Sequence, residues 1–211
     1  MKPTRSLLPS LDDFVKKQLN GFDEIPNDRK GALEPLSEFI RNHVTSGSTS
    51  NLVFICTHNS RRSHMSQLWA QAAAYFYGVP DVRCFSGGTE ATAFNPRAVA
   101  AMRKAGFDIR EVQPGSNPVY EVRFASGAEP VTAFSKTFGD PFNPQRNFAA
   151  VMTCSDADEA CPFVPGTSLR VAIPYEDPKK ADGTPDEELR YDERCRQIAR
   201  EMLYMLSRVP G

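Results

Sequence analysis

Histidine is scarce in this 211-residue chain, limited to His43, His58 and His64. So few leave no cysteine–histidine catalytic pair to be required. Neither a Cys-x2-Cys spacing nor a histidine beside Cys154 and Cys161 supports zinc, so no metal is expected. Charge of one sign is missing too. Lys and Arg total 25 against 26 Asp and Glu, a net charge of −1, and no basic run interleaves with aromatics, so no nucleic-acid partner is expected. Apolar runs fall well short of the ~20 residues that span a bilayer, so no membrane is expected. The start, Met1-Lys-Pro-Thr-Arg-Ser-Leu-Leu, lacks the apolar core of a signal peptide. Five cysteines (Cys56, Cys84, Cys154, Cys161, Cys195) are an odd, scattered set. That reads as reduced thiols in a cytoplasm, some of them redox-active.

One short stretch concentrates the chemistry. Cys56-Thr57-His58-Asn59-Ser60-Arg61-Arg62-Ser63 follows the apolar run Asn51–Ile55 and leads into a helix-like segment, Ser63–Ala74. A strand that ends at the sulfur and a loop that opens a helix make a cradle for a tetrahedral oxyanion. Backbone N–H groups can point inward there, and the positive end of the helix favours an anion, a thiolate included. Arg62 adds a planar fork for two anion oxygens, and the Ser63 hydroxyl can stabilise the thiolate. The residues alone also allow a buried strand-end cysteine beside a solvated arginine.

The rest of the chain organises around this loop. Residues 1–48 read as a helical extension, with Leu11, Phe14, Val15 and Leu19 at helical spacing and Ser10 as a cap. A second helix carries Leu33, Leu36, Phe39, Ile40 and Val44, with Pro35 early in it. This extension reads as a packing or dimerising element, so a homodimer is one expectation. Residues 49–211 alternate strand and helix: strands Leu52–Ile55, Val82–Ser86, Phe148–Thr153 and Leu169–Ile173; helices to Tyr77, at Pro96–Ala105 capped by Asn95, and from Asp186 to Ser207. Leu189, Ile198, Met202, Met205 and Leu206 are the apolar face of that last helix. Such alternation predicts an α/β three-layer fold around a parallel sheet of about four strands, with ligands at the carboxyl ends. Residues 117–147 break the pattern. Val119–Phe124 and Val131–Phe138 alternate in polarity around Ser126-Gly-Ala-Glu-Pro130, an inserted β-hairpin. Cys154 follows the third strand and therefore shares a face with Cys56. Cys84 and Cys195 read as structural, and Trp69 as packing its helix against the sheet.

From Asn51 to Arg208 the chain resembles the low-molecular-weight protein tyrosine phosphatase superfamily, which includes thioredoxin-coupled arsenate reductases. The landmarks are Cys56–Ser63, Ser86-Gly-Gly-Thr-Glu-Ala91, Asn95-Pro-Arg-Ala-Val-Ala100, Cys154 to Cys161, and Tyr175-Glu-Asp-Pro178. The resemblance implies a flavodoxin-like fold with Cys56 as nucleophile. Thr57, His58, Asn59, Ser60, Arg61 and Arg62 would bind an arsenate- or phosphate-type oxyanion. It implies Asp177 as general acid, Glu176 as the fallback, and Asn59 as a brace of the loop. Cys154 and Cys161 resemble the resolving pair of the reductases, regenerated by thioredoxin or a small thiol with no bound cofactor. A phosphatase acting through a phosphocysteine would need neither. Two departures stand out. Arg61 sits where relatives often carry a small residue or a cysteine, which implies a more cationic pocket mouth. Gln67 sits where potassium-binding reductases often carry Glu, so potassium is not expected.

Overall fold

In the computed structural model, which describes residues 5–161 and 163–210, β1 (Ser50–Cys56) is buried on both faces. The outermost ends of the extension and of the catalytic region, together with Pro162, lie outside those residues. Leu52 and Phe54 point into one apolar cluster, Val53 and Ile55 into another on the opposite face. That two-sided burial is why the strand reads as an unbroken apolar run.

β1 is flanked by β2 (Val82–Gly88) and β6 (Phe148–Met152), and β7 (Thr167–Ala172) completes a parallel sheet ordered β2-β1-β6-β7. The chain first steps to one side of β1 and later returns on the other. The crevice at this reversal lies beyond the carboxyl ends of β1 and β6, the usual ligand position in open α/β sheets. Helices α3 (Arg62–Phe76), α4 (Pro96–Ala105) and α6 (Glu187–Ser207) belong to the larger cluster. The short α5 (Ser155–Ala160), with Val164 and Phe138, covers the other face. Asn95 caps α4 by accepting the Arg97 N–H at 2.9 Å.

The N-terminal residues pack into the same main core. α1 (Pro9–Leu19) contributes Leu11 and Val15, and α2 (Asn27–Ser46) contributes Leu33, Leu36 and Ile40. Three local expectations are corrected. Leu8 holds the cap position of α1 and Pro9 opens the helix, so Ser10 lies inside it. Pro35 sits well inside α2, because the helix starts at Asn27. Leu189 is 48% exposed and lies off the apolar face of α6.

β3 (Asp108–Gln113), which precedes the expected insertion, joins its strands β4 (Val119–Arg123) and β5 (Val131–Ala133) in one antiparallel sheet ordered β3-β4-β5. The hairpin is present, but its second arm stops at Ala133. Beyond it the chain leaves β4 and runs beside the end of β2, where Gly88 donates to the Lys136 carbonyl and accepts from the Phe138 N–H, both at 2.9 Å. A Cβ on Gly87 would collide with Phe138 backbone, and one on Gly88 with the backbone of Thr57, Asn59 and Glu90. Only glycine permits this approach of three chain segments.

Candidate active site

β1 ends at Cys56, and the loop to Arg61 turns its carbonyls outward. The Thr57 carbonyl accepts from the Glu90 N–H (2.8 Å) and the Thr89 hydroxyl (3.0 Å). The His58 carbonyl accepts from the Thr92 and Ser135 hydroxyls, both at 3.1 Å, and the Ser60 carbonyl from the Asn95 N–H at 2.8 Å. In a trans peptide an outward carbonyl leaves its N–H on the other side, so the concave face presents donors. Asn59 makes the turn at φ +43°, a left-handed conformation that Asn tolerates better than most residues.

Beneath the loop runs a chain of side-chain contacts. Ser63 Oγ lies 3.1 Å from Cys56 Sγ, and Asn59 Nδ2 donates to that Oγ at 2.9 Å. Asn59 Oδ1 accepts the Lys136 N–H at 2.9 Å. Asn59 and Ser63 are fully buried, so this order is shielded from water. The inserted segment thus holds the loop from behind.

Arg62 is buried and donates through Nη1 to the Tyr175 carbonyl (3.0 Å) and through Nη2 to Asp177 Oδ2 (2.7 Å). Its Nε is buried with no partner. Asp177 Oδ1 caps the turn that follows by accepting the Lys179 N–H at 3.0 Å. The expected nucleophile thus contacts its serine, and the next residue back along α3, Arg62, contacts the expected carboxyl. Arg61 behaves differently from its neighbour. It donates to the Tyr191 hydroxyl at 2.8 Å and lies 3.5 Å from Asp182, so its charge serves the α6 side and not the pocket mouth. His58 is half-exposed, with Nε2 3.8 Å from Glu90.

Cys154 is the cap residue of α5, and its sulfur accepts the Ala157 N–H at 3.4 Å. The same sulfur lies 3.6 Å from Thr57 Oγ1, and Cys56 and Cys154 belong to one apolar cluster against which Cys161 packs. All five cysteines are free thiols. Burial pushes the Cys195 thiol up to about 12 and raises the Cys84 thiol well above its usual range. The Trp69 N–H meets Cys195 Sγ at 3.4 Å and its ring stacks on Phe14, so Trp69 also ties α3 to α6 and α1 within the core cluster it shares with Leu52 and Phe54 of β1. Gln67 Nε2 donates to the Cys84 carbonyl at 3.0 Å, satisfying the β2 edge.

Over residues 51–121 the chain matches the family model for low molecular weight phosphotyrosine protein phosphatase. It is 30% identical over 149 residues to an arsenate reductase of Bacillus licheniformis, covering 71% of this chain and 88% of that one. The chain belongs to the low-molecular-weight phosphotyrosine-phosphatase and arsenate-reductase superfamily. An arsenate reductase of Halalkalibacterium halodurans is 32% identical over 136 residues, 64% of this chain and 79% of the relative. A YwlE mutant from Bacillus subtilis shares the fold at a TM-score of 0.52 and 13% identity, covering 75% of this chain and 97% of that one.

Against this superfamily background, several residues at the site escape sequence reasoning. Lys136 is buried between Phe134 and Phe142, with Nζ 4.4 and 5.1 Å from the ring centroids, and burial lowers its pKa to about 8. His64 stacks on Phe94 and contacts the Ser86 hydroxyl at 3.3 Å; burial, then Lys136, hold its pKa well below the usual imidazole range. Behind Tyr175, Glu201 of α6 accepts the tyrosine hydroxyl at 2.8 Å and pairs with Arg29 of α2 at 2.6 Å, while Arg29 also donates to the Pro174 carbonyl. No local pattern announces these partners; they are distant in sequence. Among the described residues, no group of His, Cys, Asp and Glu could hold a metal ion, and no helix is long and apolar enough to cross a membrane.

Proposed function

We propose that the chain is a thiol-dependent arsenate reductase. The observation that carries this reading is the second thiol at the site: Cys154 Sγ beside Thr57, in the apolar cluster of Cys56, with Cys161 at the far end of the same short helix. The 30% identity to a curated arsenate reductase supports it.

In this reading arsenate enters the loop, held by inward N–H groups and the Arg62 fork. Arg62 turns from Asp177 to the anion, and the freed carboxyl carries the proton. The Cys56 thiolate attacks arsenic; an oxygen leaves as water with the proton from Asp177. Cys154 then attacks the Cys56 sulfur. The sulfur–arsenic bond breaks, its electron pair stays on arsenic, and arsenite leaves behind a Cys56–Cys154 disulfide. Cys161 attacks Cys154 and frees the Cys56 thiolate, and an external dithiol such as thioredoxin reduces the Cys154–Cys161 bond. A reducing cytoplasm is the fitting setting. Residues 49–211 carry this chemistry and residues 1–48 brace it through Arg29.

The second reading is a phosphomonoesterase, favoured by the phosphatase family match over residues 51–121, which includes the loop but neither Cys154 nor Cys161. Cys56 would then form a phosphocysteine, with Asp177 as acid and later base. A cleft of about 450 Å³ lies on the far side of Asp177, lined by Glu176, Lys180, Arg190 and Arg194 among others; no residue of the Cys56–Ser63 loop lines it, so it is not the anion pocket. NADPH consumption with arsenate, thioredoxin and thioredoxin reductase, run beside hydrolysis of an aryl phosphate, tests the two. Arsenate-dependent turnover lost in Cys154→Ser supports reduction. Rapid hydrolysis indifferent to Cys154→Ser, without arsenate turnover, would make the chain a phosphatase.

A further inference from the structure

Helix α5 keeps Cys154 and Cys161 apart. Cys154 is its N-terminal cap, and Cys161 its C-terminal cap, with the Cys161 N–H bonded to the Ala157 carbonyl at 3.0 Å. Seven residues along a helix rise about 10 Å, whereas a disulfide needs Cα atoms within about 7 Å. The pair can join only if α5 unwinds.

One side chain outside the helix opposes that unwinding. Arg170 of β7 donates through Nε to the Cys161 carbonyl at 3.1 Å and through Nη2 to the Asp158 carbonyl at 2.7 Å. The same Nη2 reaches Asp158 Oδ1 at 2.5 Å. A single guanidinium thus satisfies two carbonyls at the C-terminal end of α5, where a cation is favoured, and clasps a carboxylate of the same turn. Both side chains are partly exposed, Arg170 by 25% and Asp158 by 34%, so water can replace the bonds when they open. The clasp is therefore reversible.

We propose that Arg170 is a positioning residue that latches α5 in the reduced state and releases it when Cys154 and Cys161 bond. This assignment rests on the relay proposed above. In the step it governs, the Cys161 thiolate attacks Cys154 within the Cys56–Cys154 disulfide. The old S–S bond breaks, its electron pair leaves with Cys56, and the new bond forms with no net oxidation. The latch biases the pair toward the dithiol, which makes the final disulfide readily reduced by an external dithiol.

The test uses the full chain carrying Cys56→Ser, so that Cys154 and Cys161 exchange only with each other and with solution. The protein is equilibrated in dithiothreitol redox buffers, quenched in acid and alkylated, and its disulfide content is read by mass spectrometry. Arg170→Gln should raise the equilibrium constant for disulfide formation roughly tenfold, about 30 mV for this two-electron couple. Arg170→Lys should restore part of the shift, and Asp158→Asn should give a smaller one. A general loss of stability would lower the melting points of both redox forms together and leave the constant unchanged. If Arg170→Gln oxidises at the parent's poise, the latch is overturned and the relay stands. If no Cys154–Cys161 disulfide forms at any poise in a folded chain, the relay and the latch both fall.

Discussion

Replacing Arg29 with alanine removes a guanidinium that joins α2 to the segment leading to Asp177. Its Nε and Nη2 reach the two Glu201 oxygens at 3.1 and 2.6 Å, Nη1 reaches the Pro174 carbonyl at 3.0 Å, and the group lies 4.9 Å from the Tyr175 ring centroid. The two side chains are only 16% and 3% exposed. In Arg29→Ala the Glu201 carboxylate keeps the Tyr175 hydroxyl and Gln197 Nε2 as donors but loses its cation. Breaking one side of a buried pair costs about 3 kcal/mol. At this chain length that lowers Tm by roughly 6–12 °C, read by circular dichroism at pH 7. Adding Glu201→Leu should recover part of the loss, because the stranded charge goes with it. A single mutant melting within about 2 °C of the parent would refute the reasoning. Because Pro174 lies three residues before Asp177, turnover should also fall.

Gly88→Ala should weaken phosphate binding by calorimetry at least about tenfold, since the new Cβ meets three backbone atoms closer than 3.0 Å; parent affinity would refute the close approach. Asn59→Ala strands the buried Lys136 N–H and removes the Ser63 contact, which should cost about 2 kcal/mol in urea titration. Lys136 carries a pH signature: its pKa is about 8 in the fold against 10.5 when exposed. Between those values the unfolded chain binds the extra proton, so stability rises with pH there and the full penalty applies below about 8. The penalty is about 3 kcal/mol, less what the two phenyl rings return. Lys136→Met should therefore raise Tm at pH 7 and flatten the profile from pH 8 to 10.5; an unchanged slope would contradict this.

The loop was legible in the sequence because its parts are contiguous: a strand, a cysteine, five residues, an arginine and a serine must lie in order to build an anion cradle. The parallel sheet was legible for a similar reason, since β1 and β6 are short apolar runs followed by helices. β3 was not. Asp108-Ile-Arg-Glu-Val-Gln buries only Ile109, and Val112 is 58% exposed, so no alternation marks it. Lys136 reads as an ordinary surface lysine until Phe134, Phe142 and the returning loop enclose it. Arg29 and Glu201 are 172 residues apart, and nothing periodic links them. Arg61 and Arg62 are neighbours in sequence, and both were expected at the anion pocket. The turn into α3 sends one to Tyr191 and the other to Asp177.

The relay from Cys56 to Cys154 is tested most directly in the Cys161→Ser chain, reduced, freed of reductant and given one equivalent of arsenate. After an acid quench, peptide mass spectrometry reads the linkage and arsenite is counted. The account predicts one arsenite per chain and a Cys56–Cys154 disulfide peptide. Arsenite released without that linkage, or no arsenite at all, would contradict it.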